Sequence, residues 1–288
     1  ADNWDFTATQ KMILAELEFA GEMRKVIMQA PKNGFFYVLD RITGELISAK
    51  PYVQVTWASH VDKKTGRPVE TGQGHYFNEP KLVFPSWYGG HNWQPMSYNP
   101  NTGLVYIPTL EMPVIFTTPK QPFTYQKGGF NLALRGIEPT IMSSDEAKNL
   151  PDLETLAKGQ PDLTPRGFLK AWDPVNQRVT WQVETSGPWT GNPSAIWNGG
   201  GLMTSAGGLV FQGRATGDFV ILNAKTGRQL HSIEVGTSMM AAPMTYSING
   251  EQYVAIMAGT GGSMGSRHPP GSAAYQYGNR GRIVVFKL

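Results

Sequence analysis

Phe35-Phe36-Tyr37-Val38-Leu39-Asp40-Arg41-Ile42-Thr43-Gly44 is an apolar, aromatic-rich run closed by a tight turn. Its first five residues are the β-branched and aromatic types that suit a half-buried pleated surface. Asp40 through Gly44 has hairpin-turn chemistry, and Glu45 to Ala49 reads as the returning strand. The unit recurs. Phe168 to Asp173 leads through Pro174-Val175-Asn176-Gln177 to Val179-Thr180-Trp181, and Phe219 to Asn223 leads through Ala224-Lys225-Thr226-Gly227 to Leu230. A second kind of strand precedes these units at Gly103 to Ile107 and Gly208 to Gln212, and Gln252 to Ile256 follows later. Repeats of strand, Asx-led turn and strand, at irregular intervals of roughly 40–50 residues, predict propeller blades of four antiparallel strands.

Outside these repeats the chain is less regular. Lys11 to Phe19 reads as a strand or a short helix, Arg24 to Gln29 as a strand, and Arg282 to Phe286 as the closing strand. The stretch from Phe116 to Pro165 breaks the rhythm and reads as an excursion from one blade. A helix is expected within it from Ser143 to Lys158, where Ser143 and Ser144 precede Asp145 and Glu146. Gly259 to Gly281 reads as a loop. The spacing counts about three and a half to four blades.

Composition narrows the function. Apolar content of 40% with 16% charge describes a globular chain of 288 residues, and 33 glycines with 21 prolines suit a fold rich in turns. The net charge of +3 is spread without basic runs, which argues against a nucleic-acid partner. No stretch reaches the roughly 18 apolar residues of a membrane span. Cysteine is absent, which excludes disulfides, thiolate metal sites, iron–sulfur clusters and covalently attached haem from this stretch. The five histidines show no ligand spacing. The chain starts at Ala1 without a signal-like segment, so the expectation is a processed or excised piece with any export signal upstream.

Three segments carry candidate chemistry: Asp2-Asn3-Trp4-Asp5-Phe6-Thr7, Ala30-Pro31-Lys32-Asn33-Gly34, and Gly90-His91-Asn92-Trp93. They supply a carboxylate beside aromatic rings, an ammonium on a turn, and an amide next to an indole. Singly, each has an ordinary reading as a capping aspartate, a solvated lysine or a turn asparagine. Most tryptophans, Trp172 and Trp181 first, read as blade packing, and Met239-Met240 as core. Gly199-Gly200-Gly201 reads as a close-approach site and not a phosphate loop, because no helical pattern follows it.

Taken together with Trp197-Asn198-Gly199-Gly200 and Ala241 to Tyr246, these segments resemble the pyrroloquinoline quinone (PQQ)-dependent alcohol dehydrogenases, and most closely the quinohaemoprotein branch. The resemblance implies an all-β fold of propeller blades, about half of an eight-bladed ring, with residues 1–288 forming the C-terminal part and 116–165 an inserted excursion. It implies Asp5 as the general base during hydride transfer to PQQ, and also as a candidate ligand of Ca2+. It implies Lys32 on the quinone oxygens, and Asn92, Trp93 and Trp197 as further cofactor contacts. The other calcium ligands would come from earlier blades, on another chain or fragment. Thr7 stands where lanthanide-using relatives carry a second aspartate, which favours calcium. A periplasmic location, a cytochrome c or other electron acceptor outside this chain, and a small alcohol substrate are implied as well. Phe6, Trp93 and the excursion are expected around the substrate, their bulk hinting at an apolar tail. Two alternatives remain at this level: a non-enzymatic propeller scaffold for protein binding, and a sugar-oxidising quinoprotein.

Overall fold

The computed structural model describes residues 2–119, 122–129, 131, 134–160, 162–189, 193–259 and 270–287. The chain opens with an antiparallel four-stranded meander of β1 (Ile13–Phe19), β2 (Glu22–Gln29), β3 (Phe35–Asp40) and β4 (Leu46–Pro51). A hairpin of β5 (Ala58–Val61) and β6 (Pro68–Glu70) follows. Next come β7 (Lys81–Val83), β8 (Ser97–Asn99), β9 (Leu104–Glu111), β10 (Val114–Thr117) and β11 (Arg135–Ile137). Two short helices, α1 (Ser144–Ala147) and α2 (Leu153–Ala157), lead to β12 (Arg166–Asp173) and β13 (Arg178–Glu184). The remainder is β14 (Gly199–Thr204), β15 (Leu209–Arg214), β16 (Asp218–Asn223), β17 (Gln229–Glu234), β18 (Met244–Ile248), β19 (Glu251–Ala258), α3 (Ala273–Tyr277) and β20 (Arg282–Lys287).

Four sheets form a stack in chain order: β1-β2-β3-β4, β8-β9-β12-β13, β14-β15-β16-β17 and β18-β19-β20. Strand alternation explains the stacking, since successive side chains of one strand leave on opposite faces. Phe36 and Val38 of β3 pack with Val105, Ile107 and Trp172 of the next sheet. Tyr106, Leu169 and Ala171 pack with Leu202, Val210 and Val220 of the third. Phe211 and Phe219 face Val254 and Ile256 of the fourth. Central strands buried on both faces are the condition for sheet-on-sheet packing, and the apolar runs of the sequence meet it. The count of three and a half to four blades corresponds to these four sheets.

The opposite face of the first sheet carries the site. Phe35 packs with Trp57, Val83, Val114 and Phe116, drawn from the β5–β6 region and from a fifth sheet, β7-β10-β11. Residues 116–165 run from β10 to the start of β12, supplying β11 and the helices, which cover that sheet through Leu150, Leu153 and Leu156.

The expected helix over Ser143–Lys158 is two helices. Its start is as the sequence indicates: Ser143 Oγ accepts from the Glu146 amide, and the Glu146 carboxylate accepts from the Ser143 amide. Pro151 divides it, having no N–H to donate and disfavouring a helical Leu150. Asp152 then caps α2 by accepting from the Thr155 amide at 2.8 Å. The expected loop over Gly259–Gly281 holds α3, whose N-cap Ser272 accepts from the Tyr275 amide; residues 260–269 lie outside the described residues.

Candidate active site

Asp5 and Lys32 meet. The Lys32 ammonium donates to Asp5 Oδ2 and to the Asp5 carbonyl, each at 3.0 Å. The two differ in environment: the lysine side chain is 10% exposed, the aspartate 46%. An ammonium carries three hydrogens, so one is not engaged in these two contacts. Among the described residues Asp5 Oδ1 accepts no hydrogen bond.

Asp5 sits at φ +62°, in the left-handed region that non-glycine residues rarely adopt. That geometry has to be held by the residues around it. Trp4 is the anchor: its indole N–H donates to the Gly74 carbonyl at 2.9 Å and its amide to Asp2 Oδ1. Its ring lies 4.9 Å from Trp57 and 5.7 Å from Phe6, while Phe6 and Trp57 are 5.4 Å apart. The Tyr76 hydroxyl donates to the Asn3 carbonyl. Aromatic burial thus fixes a strained aspartate at the front of the first sheet.

Lys32 is placed by a turn between β2 and β3. The Tyr52 hydroxyl donates to the Pro31 carbonyl at 2.7 Å, and the Trp57 indole to the Asn33 carbonyl at 3.0 Å. The Gly90 amide donates to the Lys32 carbonyl at 3.0 Å. Gly89 has to be glycine here, because a Cβ would lie 2.5 Å from Lys32 Cα.

The third segment therefore lies directly against the lysine turn. In it, Asn92 donates from Nδ2 to the Tyr88 carbonyl at 2.7 Å and accepts from the Trp93 amide at 2.9 Å. One amide hydrogen of Asn92 is not used in these bonds. Trp93 is 37% exposed, presenting an indole at the surface of the loop. Trp197 is buried and stands edge-on to Tyr88 at 5.4 Å, so it joins the loop from the far side through that ring. The structure brings Asp5 to Lys32 and the 89–93 loop to the lysine turn, while Trp197 adjoins the group through Tyr88 and through Leu110, whose amide donates to the Gly90 carbonyl at 2.8 Å.

Sequence reading passed over Tyr52, Trp57 and Gly89. The Gly89-Gly90 pair was a visible signal of close backbone approach; Tyr52 and Trp57 gave none, because their partners are distant carbonyls. Among the described residues no group of three or more His, Asp or Glu side chains could hold a metal ion.

Stacked antiparallel sheets with an Asp5–Lys32 pair at one face, and the 89–93 loop bonded to the lysine turn, define a propeller-type architecture with a candidate site. Residues 67–254 match the family model described as the glucose/ethanol/alcohol dehydrogenase β-propeller domain, PQQ, and the chain belongs to that family. It is 45% identical over 292 residues to quinohemoprotein alcohol dehydrogenase ADH IIB of Pseudomonas putida, spanning all of this chain and 38% of that protein. The solved quinohemoprotein alcohol dehydrogenase ADHIIG of Pseudomonas putida is similar with a TM-score of 0.79 at 41% identity, over 100% of this chain and 40% of that one. A europium-containing methanol dehydrogenase is similar with a TM-score of 0.77 at 28% identity, over 100% of this chain and 49% of that one. The chain thus spans less than half the length of these relatives.

The site's donor set fits the family's cofactor. Lys32 and Asn92 offer hydrogens to carbonyl and carboxylate oxygens, and exposed Trp93 offers a ring.

Proposed function

We propose that this chain is the C-terminal part of one propeller, residues 116–165 being an inserted excursion, in a periplasmic PQQ- and calcium-dependent enzyme that oxidises a small alcohol to an aldehyde or ketone. The observation that carries the reading is the Asp5–Lys32 contact at 3.0 Å, with one partner buried and the other open to a ligand.

Alcohol oxidation removes a proton from oxygen and a hydride from carbon. When bound, the quinone supplies the hydride acceptor. Asp5 takes the hydroxyl proton on its half-exposed carboxylate while Lys32 fixes one of its oxygens. Lys32 also presents its remaining hydrogen to the oxygen on which charge develops, a fixed dipole aimed at the changing charge. Asn92 and Trp93 orient the ligand, and Trp197 backs the loop through Tyr88. Phe6 and Trp93 exclude water from the substrate side.

Calcium needs about six to eight oxygen ligands. Asp5 would contribute its carboxylate, and the rest would come from the cofactor and from blades that the relatives carry beyond this span. Activity requires those blades. Thr7 keeps the local charge low, which suits calcium better than a trivalent ion. A cytochrome c-type acceptor would take the electrons onward; relatives named quinohemoprotein support this. Oxidation of a sugar on the same site is the second reading, supported by the glucose dehydrogenases within the matched family. No described helix is long and apolar enough to cross a membrane.

The test is dye-linked oxidation of primary alcohols by the intact protein loaded with PQQ and calcium, beside Asp5→Asn. The reading requires turnover in the first and its loss in the second with the cofactor still bound. Equal turnover in both, or no cofactor uptake, overturns it.

A further inference from the structure

The turn that carries Lys32 has three consecutive carbonyls with partners from two other parts of the chain, Tyr52 and the Gly90–His91 loop. Tyr52 serves Pro31, Gly90 serves Lys32, and His91 Nδ1 lies 2.9 Å from the Ala30 carbonyl. The other ring nitrogen of His91, Nε2, lies 2.6 Å from the Gln94 carbonyl. Ala30 stands two residues before Lys32, and Gln94 follows directly after Trp93. The acceptors of this one ring bracket both ligand-facing segments.

Among the described residues the ring nitrogens have no other hydrogen-bond partner. His91 is fully buried, and its own carbonyl accepts from Gln10 Nε2 at 3.0 Å. The Gln94 side-chain amide is buried with neither end partnered among the described residues, so its backbone carbonyl is the tether at that point of the loop. Burial pushes the imidazole below its ordinary range, while the two carbonyls oppose the shift. A neutral ring has one N–H for two acceptors. Only one of the two carbonyls can therefore receive a hydrogen bond from the neutral ring, and substitution separates the two positions.

We propose that His91 is a positioning residue, which fixes the Lys32 turn in register with the Asn92–Trp93 loop so that the ammonium and the amide–indole pair face the same ligand. This rests on the reading of the Asp5–Lys32 site given above. The bond to Ala30 is the one that matters for Lys32, because Ala30 belongs to its turn.

The experiment uses the intact protein and two variants that each keep one donor. His91→Asn places an amide nitrogen near the position of Nδ1, and His91→Gln near that of Nε2. PQQ is titrated against each, following tryptophan fluorescence, with thermal melts and alcohol kinetics in parallel. His91→Gln weakens PQQ binding by roughly tenfold, the effect of losing a supporting hydrogen bond behind a ligand-binding group. His91→Asn stays near the parent, the two variants melt together, and KM for the alcohol is unchanged. If His91→Gln does not fold, His91→Ala against His91→Asn carries the same contrast. PQQ affinity unchanged in both variants, or falling equally in both in step with the melts, overturns the proposal. Lys32→Ala separates the levels: if it binds PQQ as the parent does, the site reading falls and this proposal with it. If it binds weakly while His91→Gln binds normally, this proposal alone falls.

Discussion

Two kinds of aspartate turn divide the molecule. In the repeated kind, Asp40, Asp62, Asp173 and Asn223 each accept, through one side-chain oxygen, the amides two and three residues further on. Each carbonyl then takes the amide of the fourth residue, Gly44, Gly66, Gln177 or Gly227. The other kind is Asp5, which itself takes the left-handed conformation and caps nothing. The same side chain either turns one oxygen onto the amides that follow it and closes a hairpin, or is held in a strained backbone against a lysine. The first stabilises blades; the second is what a reacting group requires.

Breaking the second kind should cost most. Asp5→Asn keeps the shape and removes the base, so turnover of the loaded intact protein should fall by roughly 10²–10⁴-fold, measured by dye-linked assay. Next comes the anchor. Trp4→Ala removes a buried indole from the Phe6–Trp57 cluster and should cost about 3–5 kcal/mol in denaturant unfolding. Cofactor affinity should fall with it, which would tie the strain at Asp5 to its aromatic support.

The repeated turns sharpen the comparison at smaller scale. Gly227 lies at φ +72°, and a Cβ there would come within 2.6 Å of the Trp181 ring; Gly44, at φ +79°, has nothing within 4 Å. Gly44→Ala should cost about 1–2 kcal/mol, the left-handed penalty alone. Gly227→Ala should cost more, as read by the same unfolding measurement. Gln177 occupies the equivalent position at φ +54°, and its side chain accepts from the Lys50 amide at 3.1 Å, joining the first sheet to the second.

The smallest effect is in acid. The Arg24 guanidinium, with the Thr43 and Ile42 amides, holds the Asp40 carboxyl well below the usual carboxylate range. Its folded pKa is depressed, so its contribution is complete above about pH 4 and is lost as pH falls toward the folded value. The melting difference between the parent and Asp40→Asn should therefore shrink as pH drops below that point, while it stays constant from neutral pH down to it. A difference that grows in acid would contradict this.

The blades were legible because their signals are local. Strand alternation, an Asx residue and a turn glycine lie within ten positions, as in Phe35 to Gly44. The break at Pro151 was legible too, had it been weighed against the capping signal at Ser143. The candidate site entered as a resemblance, residue by residue at Asp5, Lys32 and Asn92, and not as a geometry. What holds it, the indole of Trp4 on the Gly74 carbonyl and the phenol of Tyr52 on the Pro31 carbonyl, is contact between a side chain and a distant backbone. Such bonds leave no spacing in the sequence, because a backbone carbonyl has no residue type. The fifth sheet escaped for a related reason: β7, β10 and β11 have three or four residues each and pair across other elements.

The central claim is that Asp5 and Lys32 serve one planar ligand in different roles, one chemical and one binding. Titrating PQQ into the intact parent, Asp5→Asn and Lys32→Ala, with turnover measured on each loaded sample, tests it most directly. The account predicts that Asp5→Asn binds PQQ and does not turn over, while Lys32→Ala loses affinity. An Asp5→Asn protein that turns over like the parent, or a Lys32→Ala protein that binds PQQ as tightly as the parent, would contradict it.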